Sequence, residues 1–339
     1  MSRVIRFNRF GPADVLEYVE RPDPQPESGE VLLATEAIGV GWHDVLWRQN
    51  LASTPVTLPA GIGTEMAGRV VSVGADVDDL SPGDRVAAIP AYDLNRYATY
   101  GERIVLPREA LIRYAQTLTA VEASVHYLPL LTSWLGLREL AGIEPGESVL
   151  ITAGCQIGGP YAVQLARALG AHVFATTTRA DNVEFLKRMG AEAVIETESQ
   201  DLVTAIDKLT DKRGVNVVLD AQGGPQMSLL GDVLAPCGRL VLYGLQGGNQ
   251  TAFPAQAAFR KNIRFYLHCL SNFSGRPELG IAPNGEAMTR ASDEVNRLTL
   301  EGAVVPVIDK VFGFDEVVAA HRYMDSMRSH HGRVALKVG

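Results

Sequence analysis

Cysteine is scarce in this chain: three in 339 residues, Cys155, Cys237 and Cys269, none of them in a CxxC pair. An odd set of isolated thiols excludes a disulfide framework and a cysteine-rich zinc lobe, and free Cys ordinarily behaves as a small hydrophobe. Long apolar runs are missing as well. Nothing approaches the roughly 18 consecutive apolar residues of a membrane-spanning helix. Positive charge is in deficit, with 31 Lys and Arg against 39 Asp and Glu, net −8. That balance argues against a nucleic-acid partner, whose phosphates want clustered cations. The opening MSRVIRFNRFG carries charges throughout and no apolar signal core, so the cytoplasm is the expected location. Internal repeats and low-complexity segments are also absent.

What is present is two different rhythms. The first 120 or so residues read as β-rich, with short apolar stretches (EVLLATEAIGV, AGRVVSVGADV, DRVAAIPA, ERIVLP) between Pro- and Gly-rich turns. From about Ala120 strands alternate with helices. SVLITA, AHVFATT, AEAVIET, VNVVLDA, GRLVLYG and IRFYLH read as six strands joined by helices, one of which has Leu202, Val203, Ile206 and Leu209 as its apolar stripe. Such an alternation predicts an α/β fold with a doubly wound parallel sheet. A helix near 286–301, a strand VVPVIDKVF, a helix over 314–327 and a last strand RVALKV follow.

Between the first strand and its helix lies TAGCQIGGPYAVQ, with Gly154, Gly158 and Gly159 in the turn. In a dinucleotide fold such glycines make the turn, admit the pyrophosphate and let helix and strand pack closely. Gln156 replaces the middle glycine, and a GxxxxG alone does not separate a nucleotide loop from a plain turn. Position in a wound sheet favours the nucleotide, because ligands settle at the carboxyl edge. Amides starting near Gly159 offer an anion site, and Pro160 suits a first helical position. Gly170 closes the helix, and Ala162, Leu165, Ala166 and Leu169 form its buried stripe. At the end of the second strand an NAD site wants an acid. ATTTRAD has Thr177 there, with Thr178 and Arg179 beside it, a set that suits the 2′-phosphate of NADPH.

Several stretches together resemble the medium-chain dehydrogenase/reductase superfamily, in its zinc-free quinone oxidoreductase-like branch. They are FGPADVLEYVERPDPQPESGEVLLATEAIGV, GTEMAGRVVSVGADVDDLSPGDRV, YATYGERIVLP, LTSWLGL, VLITAGCQIGGPYAVQLARALGA, VVLDAQGG, GRLVLYG and FDEVVAAHRYMDS, spread over nearly the whole chain. The resemblance implies a GroES-like β-rich catalytic domain from residues 1–122 and 270–339 around a Rossmann domain at 123–269. It also implies a cleft active site and a homodimer joined through the Rossmann sheets. Relatives of the zinc-free branch replace the middle glycine too.

The positions matching the superfamily's zinc ligands are Gly41, Thr64 and Leu128, so no metal is expected. His43 and His126 are not expected to replace them. Without a Lewis acid the expected chemistry is reduction of a quinone or of a C=C conjugated to a carbonyl, where the charge spreads onto an existing oxygen. The alternatives are a metal-free ketone reductase or alcohol dehydrogenase, and a non-catalytic NADPH-binding sensor. Relatives carry Tyr a few residues after VLxR, where this chain has Asn50 and Ala52. Trp42, His43, Asn95, Tyr97 and Tyr100 are therefore the catalytic or substrate-binding candidates by analogy, with solvent as an equal proton source. The cofactor contacts the resemblance implies are Thr132, Gly154, Gln156, Ile157, Gly158, Gly159, Thr177, Arg179, Gln222, Gly244, Leu245 and Arg333.

Overall fold

A computed structural model describes residues 1–156, 158–326 and 331–339. The expected contact Ile157 and the end of the expected 314–327 helix lie outside the described residues. The chain forms two compact units: 1–128 with 274–280 and 306–339, and 129–273 with 281–305. This division gives 281–305 to the second unit rather than to the first. The helix Gly285–Leu300 packs against the π-helical turn Leu135–Leu140, and Arg290 bonds Glu139 (2.8 Å).

The second unit is a six-stranded sheet: β1 (Ser148–Ile151), β2 (His172–Thr177), β3 (Ala193–Glu196), β4 (Val215–Asp220), β5 (Leu234–Leu242) and β6 (Arg264–Leu267). The order is β3-β2-β1-β4-β5-β6 and every pairing is parallel. This is the Rossmann order, and it makes the strand order reverse beside β1. Strands buried on both faces need apolar residues throughout, and Val149, Leu150, Ile151, Val217, Val218 and Leu219 are all fully buried. Helix α1 (Gly159–Ala168) follows β1, with Pro160 at its second position. Ala162, Leu165 and Ala166 are buried, and Gly170 (φ 82°) ends the turn after it. The helix Leu202–Leu209 buries Ile206 but leaves Leu209 exposed.

The first unit is built on the long strand Glu30–Val40, which pairs antiparallel with Glu65–Val73, Arg103–Pro107 and the C-terminal Arg333–Lys337. The C-terminal strand thus joins a sheet begun within the first 40 residues. A smaller sheet centres on Ser2–Phe7, flanked by Glu17–Arg21 and Ala60–Gly61. Phe7, Leu33, Ile38, Met66 and Val86 lie in its core at 0 % exposure, which shows one continuous hydrophobic interior. Among the described residues no helix is long and apolar enough to cross a membrane.

Candidate functional site

In the Rossmann unit the loop after β1 is held by a buried polar network. Thr152 Oγ1 donates to Asp220 Oδ1 (2.5 Å) and accepts from Ala221 N (3.1 Å). Asp220 closes β4 and also accepts from the amides of Gln222 (3.0 Å) and Gly223 (3.0 Å). Burial pushes its carboxyl above the usual range, while the Thr152 hydroxyl and the two amides favour the charged form. Thr152, Thr176 and Asp220 were not among the expected residues. An acid ending an otherwise apolar strand, VNVVLD, is the signal that points to the last of them.

The loop itself is tight. Ala153 sits in the left-handed region at φ 50° and donates to Thr176 Oγ1 (3.1 Å), and Gly154 N donates to Thr176 O (2.9 Å). A Cβ on Gly159 would stand 2.5 Å from Gly154 O, so only glycine fits where the helix start meets the strand end. Gly159 N donates to Gln156 O (2.7 Å), and the amides of Tyr161 and Ala162 go to Gly158 O. Pro160 has no amide. These first-turn donors, expected to face an anion, are therefore turned into the loop. Gln156 is exposed, and the Cys155 thiol is buried and pushed up to about 12.

At the end of β2 the Thr177 hydroxyl is buried and accepts from Arg179 N (3.2 Å) and Asn182 Nδ2 (3.0 Å). Arg179 is exposed and holds Asp181 through Nε (2.9 Å) and a terminal nitrogen. Across the same carboxyl edge, Thr132 O accepts from His268 Nε2 (2.8 Å), just past β6. Gln222 Nε2 reaches Gln246 Oε1 (3.2 Å), tying the loop after β4 to that after β5. Gly244 lets these loops touch, since a Cβ there would meet Ala221 O at 2.5 Å, and Leu245 beside it is exposed. The structure thus brings Thr132, Gly154, Gln156, Gly158, Gly159, Thr177, Arg179, Gln222, Gly244 and Leu245 to the carboxyl side of one sheet.

Arg333 belongs to the first unit and is taken up there. It is buried and paired to the buried Glu65, rather than free for a phosphate. Asp44, fully buried beside them, accepts from Gly41 N (2.8 Å) and Tyr100 Oη (3.1 Å). Burial first, then the charge of Glu65, raises its carboxyl to about 7, opposed by the Gly41 and Tyr100 hydrogen bonds and by Arg333. Tyr92, another residue the sequence reading did not single out, donates to Thr64 O (3.2 Å) and closes this cluster. Trp42 and His43 open the helix Trp42–Arg48 next to it, both half-buried. The His43 ring stacks on Trp47, its Nδ1 is buried without a partner among the described residues, and burial lowers its pKa so the ring is neutral.

Three further candidates, Asn95, Tyr97 and Tyr100, line a cavity of about 240 Å³ in the same unit. Their polar groups are already committed. Asn95 accepts from Thr57 N (2.7 Å) and donates to Pro55 O (3.1 Å), and Tyr97 donates to Glu30 (2.6 Å). Among the described residues no three of His, Cys, Asp and Glu gather closely enough to hold a metal ion.

Residues 27–114 match the alcohol dehydrogenase GroES-like domain and residues 159–279 the zinc-binding dehydrogenase family. Quinone oxidoreductase 1 of Escherichia coli is 30% identical over 333 residues, covering 96% of this chain and 97% of that protein. The chain belongs to the medium-chain dehydrogenase/reductase superfamily, in its quinone oxidoreductase-like branch. Among solved structures, this medium-chain reductase superposes on an E. coli quinone oxidoreductase complexed with NADPH, with TM-score 0.85, 26% identity and coverage of 99% and 100%. It also matches the CurK enoyl reductase with TM-score 0.84, 26% identity and coverage of 100% and 99%. As a member of this superfamily it carries Gly41 and Thr64 in its polar cluster and Thr177–Arg179 at the end of β2.

Proposed function

We propose that the protein reduces quinones or the C=C bond of α,β-unsaturated carbonyl compounds with NADPH, without a metal. The observation that carries this reading is the polar cluster around Gly41 and Thr64. Gly41 has no side chain to offer, Thr64 presents only a hydroxyl, and Glu65 is neutralised by Arg333. This set does not fit a catalytic zinc, which wants three Cys, His or carboxylate ligands and an open position. Reduction of a conjugated C=C needs no Lewis acid, because hydrogen bonds suffice for an enolate or hydroquinone oxygen. The likeness to a quinone oxidoreductase solved with NADPH and to an enoyl reductase supports the same choice.

When bound, NADPH supplies the hydride from its nicotinamide ring. In this reading the loop Gly154 to Gly159, Gln156 and Ile157 included, takes the diphosphate, and the Gln156–Gly159 turn opens to release its amides. Thr177 and Arg179 take the 2′-phosphate. Arg179 exchanges Asp181 for it at small cost, since an exposed ion pair is worth only about 0–1 kcal/mol. Thr132, Gln222, Gly244 and Leu245 take the nicotinamide end, and Arg333 stays with Glu65. Trp42 shapes the substrate site, and neutral His43 donates a hydrogen bond to the substrate oxygen, with solvent water supplying the proton that completes the reduction. The same reading includes a cytoplasmic location and a homodimer, the dimer supported by the edge strand β6, whose Leu267 is exposed. Incubation of the purified protein and NADPH with a panel of quinones and enones tests the proposal. Oxidation of NADPH that survives a chelator is expected, and no oxidation with any of them would overturn it.

A further inference from the structure

The cavity in the first unit has a feature that hydride transfer does not use. Ser2–Phe7 and Glu17–Arg21 pair antiparallel with Ser2 opposite Arg21 and Arg6 opposite Glu17. Side chains alternate along a strand, so Arg6 and Arg21 project from the same face of the pair. Both guanidiniums line the cavity, and both have an Nε that is buried without a hydrogen-bond partner. Among the described residues neither forms an ion pair, and the only bond shown for either is from Arg6 to Pro59 O (2.6 Å). Elsewhere in the lining the charges are settled among themselves. Arg96 bonds Glu27 (2.9 Å) and Glu30 (2.8 Å), and Tyr97 bonds Glu30.

Two partly buried cations with idle donors are costly unless an anion joins them. We propose that this cavity binds a small carboxylic acid, its carboxylate between Arg6 and Arg21 and its apolar body against Val4, Leu94 and Ile104. The cavity, about 240 Å³, has room for a compact acid. The charge fixes the class. Arg6, Arg21 and Arg96 against Glu27 and Glu30 leave one net positive charge, which suits a monoanion better than a phosphate dianion. Catalysis is not assigned here, because Asn95, Tyr97 and Tyr100 have their polar groups committed elsewhere. Burial, and then the neighbouring Arg6, lower the basicity of Arg21, as expected for adjacent cations awaiting a counterion.

The test is calorimetric titration of the full chain with benzoate, its neutral isostere benzamide, and inorganic phosphate. Benzoate should bind one to one, with benzamide and phosphate at least about tenfold weaker, the cost of one charge-assisted hydrogen bond. Arg21→Gln and, separately, Arg6→Gln should each weaken benzoate by about tenfold or more, leave NADPH affinity unchanged and not lower the melting temperature of the unliganded protein. If one variant fails to fold, the other carries the comparison. Benzoate binding that survives both substitutions, equal binding of benzamide, or tighter binding of phosphate would overturn the proposal.

Discussion

Replacing Gly159 by alanine puts one methyl group where the glycine loop after β1 has no room. The new Cβ would lie 2.5 Å from Gly154 O, 2.6 Å from Gly154 C and 2.8 Å from Ala153 O, all backbone atoms. Relief requires the start of α1 and the end of β1 to part by about 1 Å, since unstrained contacts sit near ~3.5 Å. The strand end is held, because Gly154 N is bonded to Thr176 O (2.9 Å), so the strain falls on the start of α1. Overpacking of this kind costs about 1–3 kcal/mol. NADPH affinity should fall about tenfold or more if even ~1.4 kcal/mol of that strain is felt at the loop. The control is Gly158→Ala, whose Cβ would make only an ordinary 3.5 Å contact with Pro129 Cβ. Thermal melts with and without NADPH, and fluorescence titration of both variants, read the difference. Gly159→Ala indistinguishable from the parent, or Gly158→Ala equally impaired, would refute the reasoning.

Other perturbations address other parts of the molecule. Arg179→Ala should weaken NADPH by about tenfold or more, the worth of a charge-assisted bond, and barely affect NADH in parallel titrations; equal losses would sink the 2′-phosphate assignment. Arg333→Met strands a buried Glu65 and should cost about 3–5 kcal/mol in urea unfolding, with a second Glu65→Gln change restoring part of it. A loss below about 1 kcal/mol would count against a buried pair. Asp44 holds its proton in the folded chain up to about 7, against 3.8 for an ordinary Asp. The folded state therefore binds the extra proton between those values, and stability should decline as pH rises through that window and level off above it. Asp44→Asn should flatten the decline, and an unchanged slope would show that another group causes it.

The Rossmann unit was legible in the sequence because parallel strands buried on both faces must be apolar throughout, and runs such as VNVVLD and GRLVLY carry that signal directly. The glycine loop was legible for a related reason: backbone crowding at Gly159 leaves no other choice of residue. What stayed hidden depends on partners far apart in the chain. Thr152 and Asp220 meet across 68 residues and Glu65 and Arg333 across 268, and no local pattern announces either. The loop 92–100 carries three tyrosines, and tertiary packing sends Tyr92 to Thr64, Tyr97 to Glu30 and Tyr100 to Asp44. Likewise the helix Gly285–Leu300 is periodic enough to be seen, but its choice of unit rests on Glu139 and the π-helical turn.

The central claim is hydride delivery from NADPH to a conjugated C=C without a metal. Incubating the chelator-treated protein with an enone and NADPH deuterated at the transferred nicotinamide position tests it most directly. The account predicts a saturated ketone carrying deuterium on the carbon β to the carbonyl. An allylic alcohol, an unlabelled product, or no reduction of any enone or quinone would contradict it.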